Sequence, residues 1–198
     1  VKTMQRNWIG KSQGCEINFE LEGSNELINV FTTRPDTLMG VTYLAIAPEH
    51  GISHKLSESK QDIKAFVEKC NQAGVSEEEF ATKEKEGIFS GLYAKHPITK
   101  KLIPIWIANY VLISYGDGAV MAVPAHDERD YQFAKKYNLP IKQVIKGGDL
   151  KKEAFVGEGE LIDSGEFDGK PSIAAKELIT KKLETIKKGK SKVNFRLR

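Results

Sequence analysis

The chain has 198 residues, 40% hydrophobic and 29% charged, a composition typical of one globular domain with a substantial core. No apolar run approaches the roughly 20 residues that a membrane helix needs, and no charged-then-apolar leader opens the chain, so we expect a cytoplasmic protein without a membrane partner. Two cysteines without metal-ligand spacing indicate a reducing compartment, and the net charge of +3 permits an anionic partner without requiring one.

The first quarter of the chain predicts three strands. Residues 15–21 alternate between apolar and polar, the period of a half-buried strand, and a polar turn separates them from Asn7-Trp8-Ile9-Gly10. Gly23-Ser24-Asn25 predicts a hairpin turn, and 27–33 form the returning strand. A further apolar, β-favouring run covers 41–47.

The middle of the chain changes to helical spacing and then returns to strands. Apolar residues within 63–70 repeat with the helical period, and Ser76-x-x-Glu79 is a capping box before another short helix. The strands expected after these helices cover 92–98, 103–108, 110–114, 119–123 and 141–145. Pro97 and Pro104 predict edges or bends, because proline cannot donate to a ladder.

The last quarter of the chain predicts a loop-rich segment, a helix and a final strand. Residues 147–169 are rich in glycine and acid, which favours a loop or hairpin. Pro171 and Ser172 start a helix that Gly189 is placed to end. The apolar face expected for this helix contains Ile173, Leu178, Ile179, Leu183 and Ile186. The end of the chain resembles an interrupted strand, so we expect a domain excised from a longer protein.

These elements together predict an α+β fold with a β-barrel or curved-sheet core and peripheral helices. The last helix and the segment after it are rich in lysine, which allows contact with a nucleic-acid backbone, although a solvated helix face is the more common explanation. The lysines concerned are Lys181, Lys182, Lys187, Lys188, Lys190 and Lys192.

The stretch 116–130 is the strongest candidate for chemistry. A Gly-x-Gly turn leads into a buried strand, Pro124 ends that strand, and Asp127 and Asp130 fall in the first turn of a helix. Carboxylates three residues apart share one helix face. A well-capped helix without any catalytic role remains the alternative.

A second candidate site is the polar segment 32–37, at the end of an apolar strand. It brings hydroxyls, a guanidinium and a carboxylate together, and Pro35 biases Arg34 towards extended geometry. The alternative is a hydrogen-bonded turn in which the threonines cap backbone groups.

Histidine-based sites are poorly supported. His126 beside Asp127 suggests a base and its orienter, but sequence neighbours do not face each other on a helix and no nucleophile is positioned nearby. His50 and His54 are four apart without a third ligand, so we expect no metal.

Two segments in this order and spacing, Phe31-Thr32-Thr33-Arg34-Pro35-Asp36-Thr37 and 116–130, closely resemble the editing domain of leucyl-tRNA synthetase, of the bacterial or organellar type. Segments similar to the same family are 5–10, 103–110, 162–169 and 193–198. Two alternatives remain: the editing domain of a valyl or isoleucyl enzyme, and a non-catalytic tRNA-binding module.

The resemblance implies that residues 1–198 are a single editing domain with the fold shared by the valyl, isoleucyl and leucyl enzymes. It implies hydrolysis of the ester that joins norvaline, isoleucine or methionine to tRNA(Leu), with leucine excluded. One methylene is worth only about 1–3 kcal/mol in an apolar pocket, a magnitude established for this class of synthetase, so binding alone rejects near-isosteres poorly.

The resemblance also implies partners. These are the 3′ end of tRNA(Leu) carrying a noncognate aminoacyl group, and the synthetase catalytic core in cis. We expect the isolated domain to be a monomer and to need no cofactor or metal, since ATP and magnesium serve the parent enzyme.

The matching positions imply a catalytic set. Asp130 corresponds to the carboxylate that holds the substrate α-ammonium, and Asp127 would support that anchor or order the attacking water. Thr32 and Thr33 would offer hydroxyls to the terminal ribose, the ester or the water.

The resemblance implies a substrate-binding set as well. Thr37 corresponds to a steric stop against the branched γ-carbon of leucine, and Arg34 would brace its loop against acids or phosphate. The full expected set is Arg34, Thr37, Tyr115, Met121, Val123 and Asp130. Asp117 departs from the family, which usually has threonine between the two glycines, so the contacts expected of that turn are less well defined.

Overall fold

The computed structural model describes residues 9–73 and 77–197. In these ranges a seven-stranded sheet is combined with α-helices and two 3-10 helices. The strands are β1 (Ile9–Leu21), β2 (Leu27–Thr32), β3 (Tyr43–Ile46), β4 (Gly87–Lys95), β5 (Leu102–Ala108), β6 (Ala119–Ala122) and β7 (Gly189–Leu197). The helices are α1 (Gly51–Ser59), α2 (Gln61–Gln72), α3 (Glu77–Thr82), α4 (Glu128–Lys136), α5 (Ser172–Thr185) and the 3-10 helices Pro35–Gly40 and Gly165–Phe167.

The sheet is open. Hydrogen bonding runs in the order β2-β1-β4-β5-β3-β6, and β7 adds to β1. Only β3 and β5 are parallel among the strand pairs of the described residues. Because this path does not close on itself within 9–73 and 77–197, the expected barrel is not confirmed and the architecture is mixed α/β. The end strands β2 and β6 nevertheless lie against each other, and the candidate site opens at their junction.

The core follows the sequence pattern of the strands. In β1 every second residue, from Cys15 through Ile17 to Phe19, is fully buried and the residues between them are partly exposed. Strand β3 is buried throughout, because β5 and β6 flank it on both edges and helices cover the sheet. Each fully buried aliphatic side chain contributes about 1.5–3 kcal/mol to folding.

Several predicted elements are confirmed. The hairpin turn joins β1 to β2 with Gly23 at φ 78°, and the helical spacing of 63–70 belongs to α2. The run 41–47 contains β3, and a short helix, α3, follows the predicted capping box. Ser76 of that box lies outside the described residues, as do residues 1–8 and Arg198.

Two predicted strands are wrong. Residues 110–114 form no strand and lead into two consecutive turns, in which the Tyr115 amide donates to the carbonyl oxygen of Leu112 and the Gly118 amide to that of Tyr115. Residues 141–145 contribute only an isolated bridge between Ile145 and Leu161. Val111 and Leu112 line the cavity, and Val144 and Ile145 are fully buried. Burial without a ladder can produce the same sequence pattern as a strand.

The expectations for the first turn and for the prolines are only partly met. No polar turn precedes 15–21, since β1 runs without interruption from Ile9. Pro97 lies in a turn, as expected, but Pro104 lies inside β5 between two neighbouring strands. Pro104 is paired with Tyr93 of β4, next to a register shift between Phe89 and Tyr93.

The apolar face of α5 is predicted correctly at Ile179 and Leu183 but not at Ile173 and Leu178. Ile173 is 70% and Leu178 39% exposed, whereas Ala175, Ile179 and Leu183, spaced by four, are fully buried. Gly189 does not end this helix but begins β7, where a Cβ would lie 2.6 Å from the carbonyl oxygen of Glu16 on β1. The left-handed residue after the helix is Lys187, at φ 58°.

Candidate active site

One cavity of about 220 Å³ brings the two candidate segments together. It lies at the junction of the end strands, between the C-terminal end of β2 and the segment from β6 to the start of α4. Every residue of the expected catalytic and substrate-binding sets lines it: Thr32, Thr33, Arg34, Thr37, Tyr115, Met121, Val123, Asp127 and Asp130.

The threonines of 32–37 occupy distinct environments. The Thr32 hydroxyl accepts a hydrogen bond of 2.9 Å from the Arg34 amide, and the Thr37 hydroxyl donates one of 2.9 Å to the Arg34 carbonyl. The expected turn with threonine caps therefore exists, and the same residues also face the cavity. Thr33 is exposed at the cavity wall, so its hydroxyl is open to a ligand or water.

Arg34 braces its loop. Its Nε and Nη2 donate to the two carboxylate oxygens of Asp36 at 3.1 and 2.9 Å, and Asp36 is fully buried. The guanidinium also donates to the carbonyl oxygens of Val156 and Gly157. This bidentate geometry fixes the loop against an acid, as the sequence predicts, and it ties the loop to the segment after Phe155.

Asp127 is the N-cap of α4, three residues before Asp130. Its backbone is extended (φ −137°, ψ 126°), and its carboxylate accepts from the amides of Arg129 and Asp130. The side chain of Arg129 also donates to it at 3.3 Å. Asp127 therefore precedes the first turn of α4 instead of lying in it, and both carboxylates line the same cavity. The cap that the alternative interpretation predicts is present, and Asp127 also borders the cavity.

Asp130 is the buried carboxylate of the site, with 6% exposure. Its Oδ1 accepts a 2.7 Å hydrogen bond from the Tyr110 hydroxyl, and its Oδ2 accepts one of 3.0 Å from the Val123 amide. Burial raises the pKa of Asp130 to about 7, and the charge of nearby Asp127 acts in the same direction. Each hydrogen bond opposes that rise because it stabilises the ionised form.

Part of the cavity wall is apolar. Met121 and Val123 are buried, at 7% and 4% exposure, and the ring of Tyr115 packs edge-on against Phe31 at 6.0 Å. This wall offers dispersion contacts to a small aliphatic group beside the charged anchor.

His126 is a structural residue. Its Nδ1 donates to the Phe155 carbonyl at 2.8 Å, while its Nε2 accepts from the amides of Val144 and Ile145. This pattern requires the neutral imidazole, and burial lowers the pKa of His126 accordingly. With both nitrogens engaged, the histidine holds the segments behind the cavity together.

Sequence reasoning missed several residues of the site. Tyr110, which binds Asp130, carried no local signal beyond an apolar run, and Tyr43 contacts it from a distant strand. The remaining wall residues that were not predicted are Phe31, Phe80, Val111, Leu112, Val120, His126 and Arg129.

Asp117 has a structural partner. Its Oδ2 accepts from the side-chain amide of Asn29 at 2.9 Å, and the same amide nitrogen donates to Glu16 at 2.7 Å. The turn between Gly116 and Gly118 is thus pinned to β1 and β2, and Asp117 does not line the cavity.

The lysine-rich end of the chain is largely neutralised. Lys181, Lys182, Lys188 and Lys192 pair with Glu177, Glu166, Glu20 and Glu16 respectively. This pairing favours the solvated-face interpretation over a nucleic-acid contact.

Among the described residues no group of three or more His, Cys, Asp or Glu side chains is arranged to hold a metal ion. None of the helices there combines the length and apolarity needed to cross a bilayer.

The fold and the cavity together define a mixed α/β domain whose cavity contains the buried carboxylate of Asp130. Comparison with known proteins identifies the class further. A family model described as leucyl-tRNA synthetase, editing domain, matches residues 6–184. The chain therefore belongs to the editing-domain family of leucyl-tRNA synthetases.

Relatives across the whole chain agree with this assignment. The leucine–tRNA ligase of Saccharophagus degradans is 54% identical over 206 residues, and that of Shewanella amazonensis 52% over 202, in each case covering 100% of this chain. The chain spans only 25% and 24% of these ligases. A crystal structure of the ternary complex of Agrobacterium radiobacter K84 LeuRS, tRNA and LeuAMS matches with a TM-score of 0.79 and 36% identity, over 100% of this chain and 22% of that one.

Proposed function

We propose that this domain hydrolyses the ester bond of mischarged tRNA(Leu), releasing norvaline, isoleucine or methionine and sparing leucine, as the proofreading part of a leucine–tRNA ligase. The observation that carries the proposal is that Asp130 and Thr37, distant in sequence, line the same cavity. Asp130 supplies a carboxylate held in one orientation and Thr37 a fixed steric feature, the two properties needed to recognise an amino acid and then discriminate its side chain.

The anchor step is electrostatic. The α-ammonium of the aminoacyl group binds the Asp130 carboxylate, whose orientation is set by the Tyr110 hydroxyl and the Val123 amide. A charge-assisted hydrogen bond in a buried site is stronger than one in water, so this contact fixes both the position and the direction of the amino acid.

Discrimination acts at the side chain. The hydrogen bond from Thr37 to the Arg34 carbonyl holds the Thr37 side chain in one rotamer, so its bulk is a rigid part of the wall. A side chain branched at the γ-carbon collides with that wall, whereas a linear or β-branched one avoids it. Leucine is then rejected by repulsion, because attraction alone is worth too little between near-isosteres.

Hydrolysis needs a positioned water. Its oxygen attacks the ester carbonyl carbon, the bond to the ribose oxygen breaks, and that oxygen takes the proton as the free amino acid leaves. The exposed hydroxyl of Thr33 and the hydroxyl of Thr32 line the cavity, and in this proposal they orient the water or the ribose. We propose that orientation supplies the rate enhancement without a metal, a cofactor or a covalent nucleophile.

The partners in this proposal follow from the relatives. The solved LeuRS contains tRNA in its complex, and the relatives are ligases about four times as long as this chain. We propose that the 3′ end of tRNA(Leu) enters the cavity and that the domain works in cis with the synthetase core. We expect this reaction to take place in the cytoplasm. The isolated domain should bind tRNA weakly and turn over slowly.

The experiment uses the full-length synthetase and isoleucyl-tRNA(Leu). Asp130→Ala should reduce deacylation by about 10²-fold or more, because the anchor and the alignment it imposes are lost together. Glu128→Ala is the matched control: this carboxylate lies in the same first turn of α4 but is exposed and outside the cavity. Leucylation activity verifies folding of both variants, and undiminished deacylation by Asp130→Ala would overturn the proposal.

A further inference from the structure

A chain of two buried tyrosines ends on the anchor carboxylate. The Tyr43 hydroxyl lies 3.0 Å from that of Tyr110, which in turn donates to Asp130 Oδ1 at 2.7 Å. Tyr43 is fully buried and Tyr110 is 5% exposed. Tyr43 also lies 3.3 Å from the backbone carbonyl oxygen of Asp130, within donor distance.

The two hydroxyls act as donors. Burial raises the pKa of both tyrosines above the ordinary value, so neither ionises in the range where the domain works. With one proton each, Tyr110 donates to the carboxylate and Tyr43 donates into Tyr110 or the adjacent carbonyl. When the Tyr110 oxygen accepts a hydrogen bond from Tyr43, the Tyr110 hydroxyl becomes a stronger donor to Asp130. Tyr43 therefore reinforces the hydrogen bond between Tyr110 and Asp130.

The charged and titratable groups facing Asp130 explain why such reinforcement is needed. From its own segment come Asp127, which disfavours the ionised form, and Arg129, which favours it but is mainly engaged with Asp127. From the segment after β6 comes only the Val123 amide, and from β3 and the turn after β5 come the two tyrosines. Tyr110, which Tyr43 contacts in turn, is therefore the main side-chain support for a negative charge at this buried position.

We propose that Tyr110, held by Tyr43, is a positioning residue that keeps the Asp130 carboxylate ionised and oriented for the substrate ammonium. This inference rests on the proposed function, since it assigns the tyrosine pair a task in amino acid binding. Tyr110 acts through Asp130 and is not required to touch the reacting atoms.

The test is the pH dependence of isoleucyl-tRNA(Leu) deacylation by the full-length enzyme, corrected for spontaneous hydrolysis. Tyr110→Phe should move the acid limb of kcat/KM upward by about one pH unit, the size expected for losing a charge-assisted hydrogen bond. At about pH 6.5 kcat/KM then falls about tenfold below the wild type, and near pH 8.5 the two converge. The change should lie in KM, because the bound ammonium itself holds Asp130 ionised.

Two further variants separate this role from a general packing role. Tyr43→Phe should move the limb in the same direction by a smaller amount, since it removes only the reinforcing bond. Tyr137→Phe is the matched control: its ring contacts Phe133 as the ring of Tyr110 does, but its hydroxyl binds the Gly87 amide and lies outside the cavity. Its acid limb should coincide with that of the wild type.

The outcomes are distinguishable. If wild-type enzyme deacylates isoleucyl-tRNA(Leu) and the Tyr110→Phe limb superimposes on it, the positioning role is wrong while proofreading stands. If the Tyr137→Phe limb moves as far as that of Tyr110→Phe, the effect is one of packing and the role is again wrong. If the wild type shows no deacylation, the proposed function itself fails.

Discussion

The hydroxyl of Thr37 donates a 2.9 Å hydrogen bond to the carbonyl oxygen of Arg34, three residues earlier in the same tight turn. The hydroxyl is thus occupied by the backbone, and the methyl group remains as the steric feature of this residue. Replacing Thr37 with alanine should open the cavity to leucine. We expect full-length Thr37→Ala to hydrolyse leucyl-tRNA(Leu) at least about tenfold faster than the wild type, in a deacylation assay.

Two near-isosteric variants identify which part of Thr37 excludes leucine. Thr37→Val keeps the branched shape and loses the hydrogen bond, whereas Thr37→Ser keeps the hydroxyl and loses the methyl. We expect leucyl-tRNA(Leu) to stay protected in the valine variant and to be hydrolysed by the serine variant. The reverse pattern would show that the hydroxyl, and not the methyl, spares leucine.

The buried charge of Asp130 should cost the domain stability as the pH rises. Its pKa is raised from 3.8 to about 7, so between these values the folded state holds a proton that the unfolded state has released. Stability attributable to this group is therefore greatest below about pH 4 and declines until about pH 7. Over the interval from about pH 5.5 to 8 the loss is about 2 kcal/mol, at roughly 1.36 kcal/mol per pKa unit.

Hydrogen exchange can measure this effect within the full-length enzyme. After correction for intrinsic exchange rates, peptides covering β6 and α4 should be less protected at about pH 8 than at about pH 5.5 in the wild type. Asp130→Asn should flatten this dependence, because the amide does not titrate. The test is the slope of protection against pH and not its absolute level. The asparagine side chain would also face the Val123 N–H, and this changes the stability at every pH. An equally steep slope in the variant would place the titration elsewhere.

The sequence was more informative about the site than about the sheet. The cavity is built largely from two short segments, 31–37 and 110–130. Because most residues of the site are close together in the sequence, they form motifs that the sequence alone can reveal. The strand predictions at 110–114 and 141–145 failed because hydrophobicity reports burial and not hydrogen bonding. His126 shows the same limit, since its three backbone partners, Val144, Ile145 and Phe155, lie outside the motif 116–130.

The tyrosine pair lay beyond sequence reasoning for a related reason. Tyr43 begins β3 and Tyr110 follows β5, and each resembles any other aromatic residue in an apolar run. Their meeting at Asp130 depends on the pairing of β3 with both β5 and β6, a long-range arrangement without a local signature. The open form of the sheet escaped prediction too, because closure depends on whether the end strands β2 and β6 pair.

Gly14 provides a test of how β1 supports the cavity from outside it. A Cβ at this position would overlap the carbonyl oxygen of Thr32 and approach the ring of Phe31 to 2.9 Å. Gly14→Ala must therefore displace the C-terminal end of β2, which carries both residues into the cavity wall. We expect deacylation of isoleucyl-tRNA(Leu) to fall at least about tenfold and the domain to lose about 1–3 kcal/mol of stability.

Gly51→Ala is the control for this substitution, since nothing lies within 4 Å of the place that an added methyl group would occupy at the start of α1. Alanine favours helix over glycine, so deacylation should be unchanged and stability unchanged or slightly higher. Leucylation by the same preparations separates a local shift at Thr32 from misfolding of the whole enzyme. Wild-type deacylation by Gly14→Ala would mean that β2 can move without disturbing the site, and that the threonine end of the cavity is not rigidly positioned by β1.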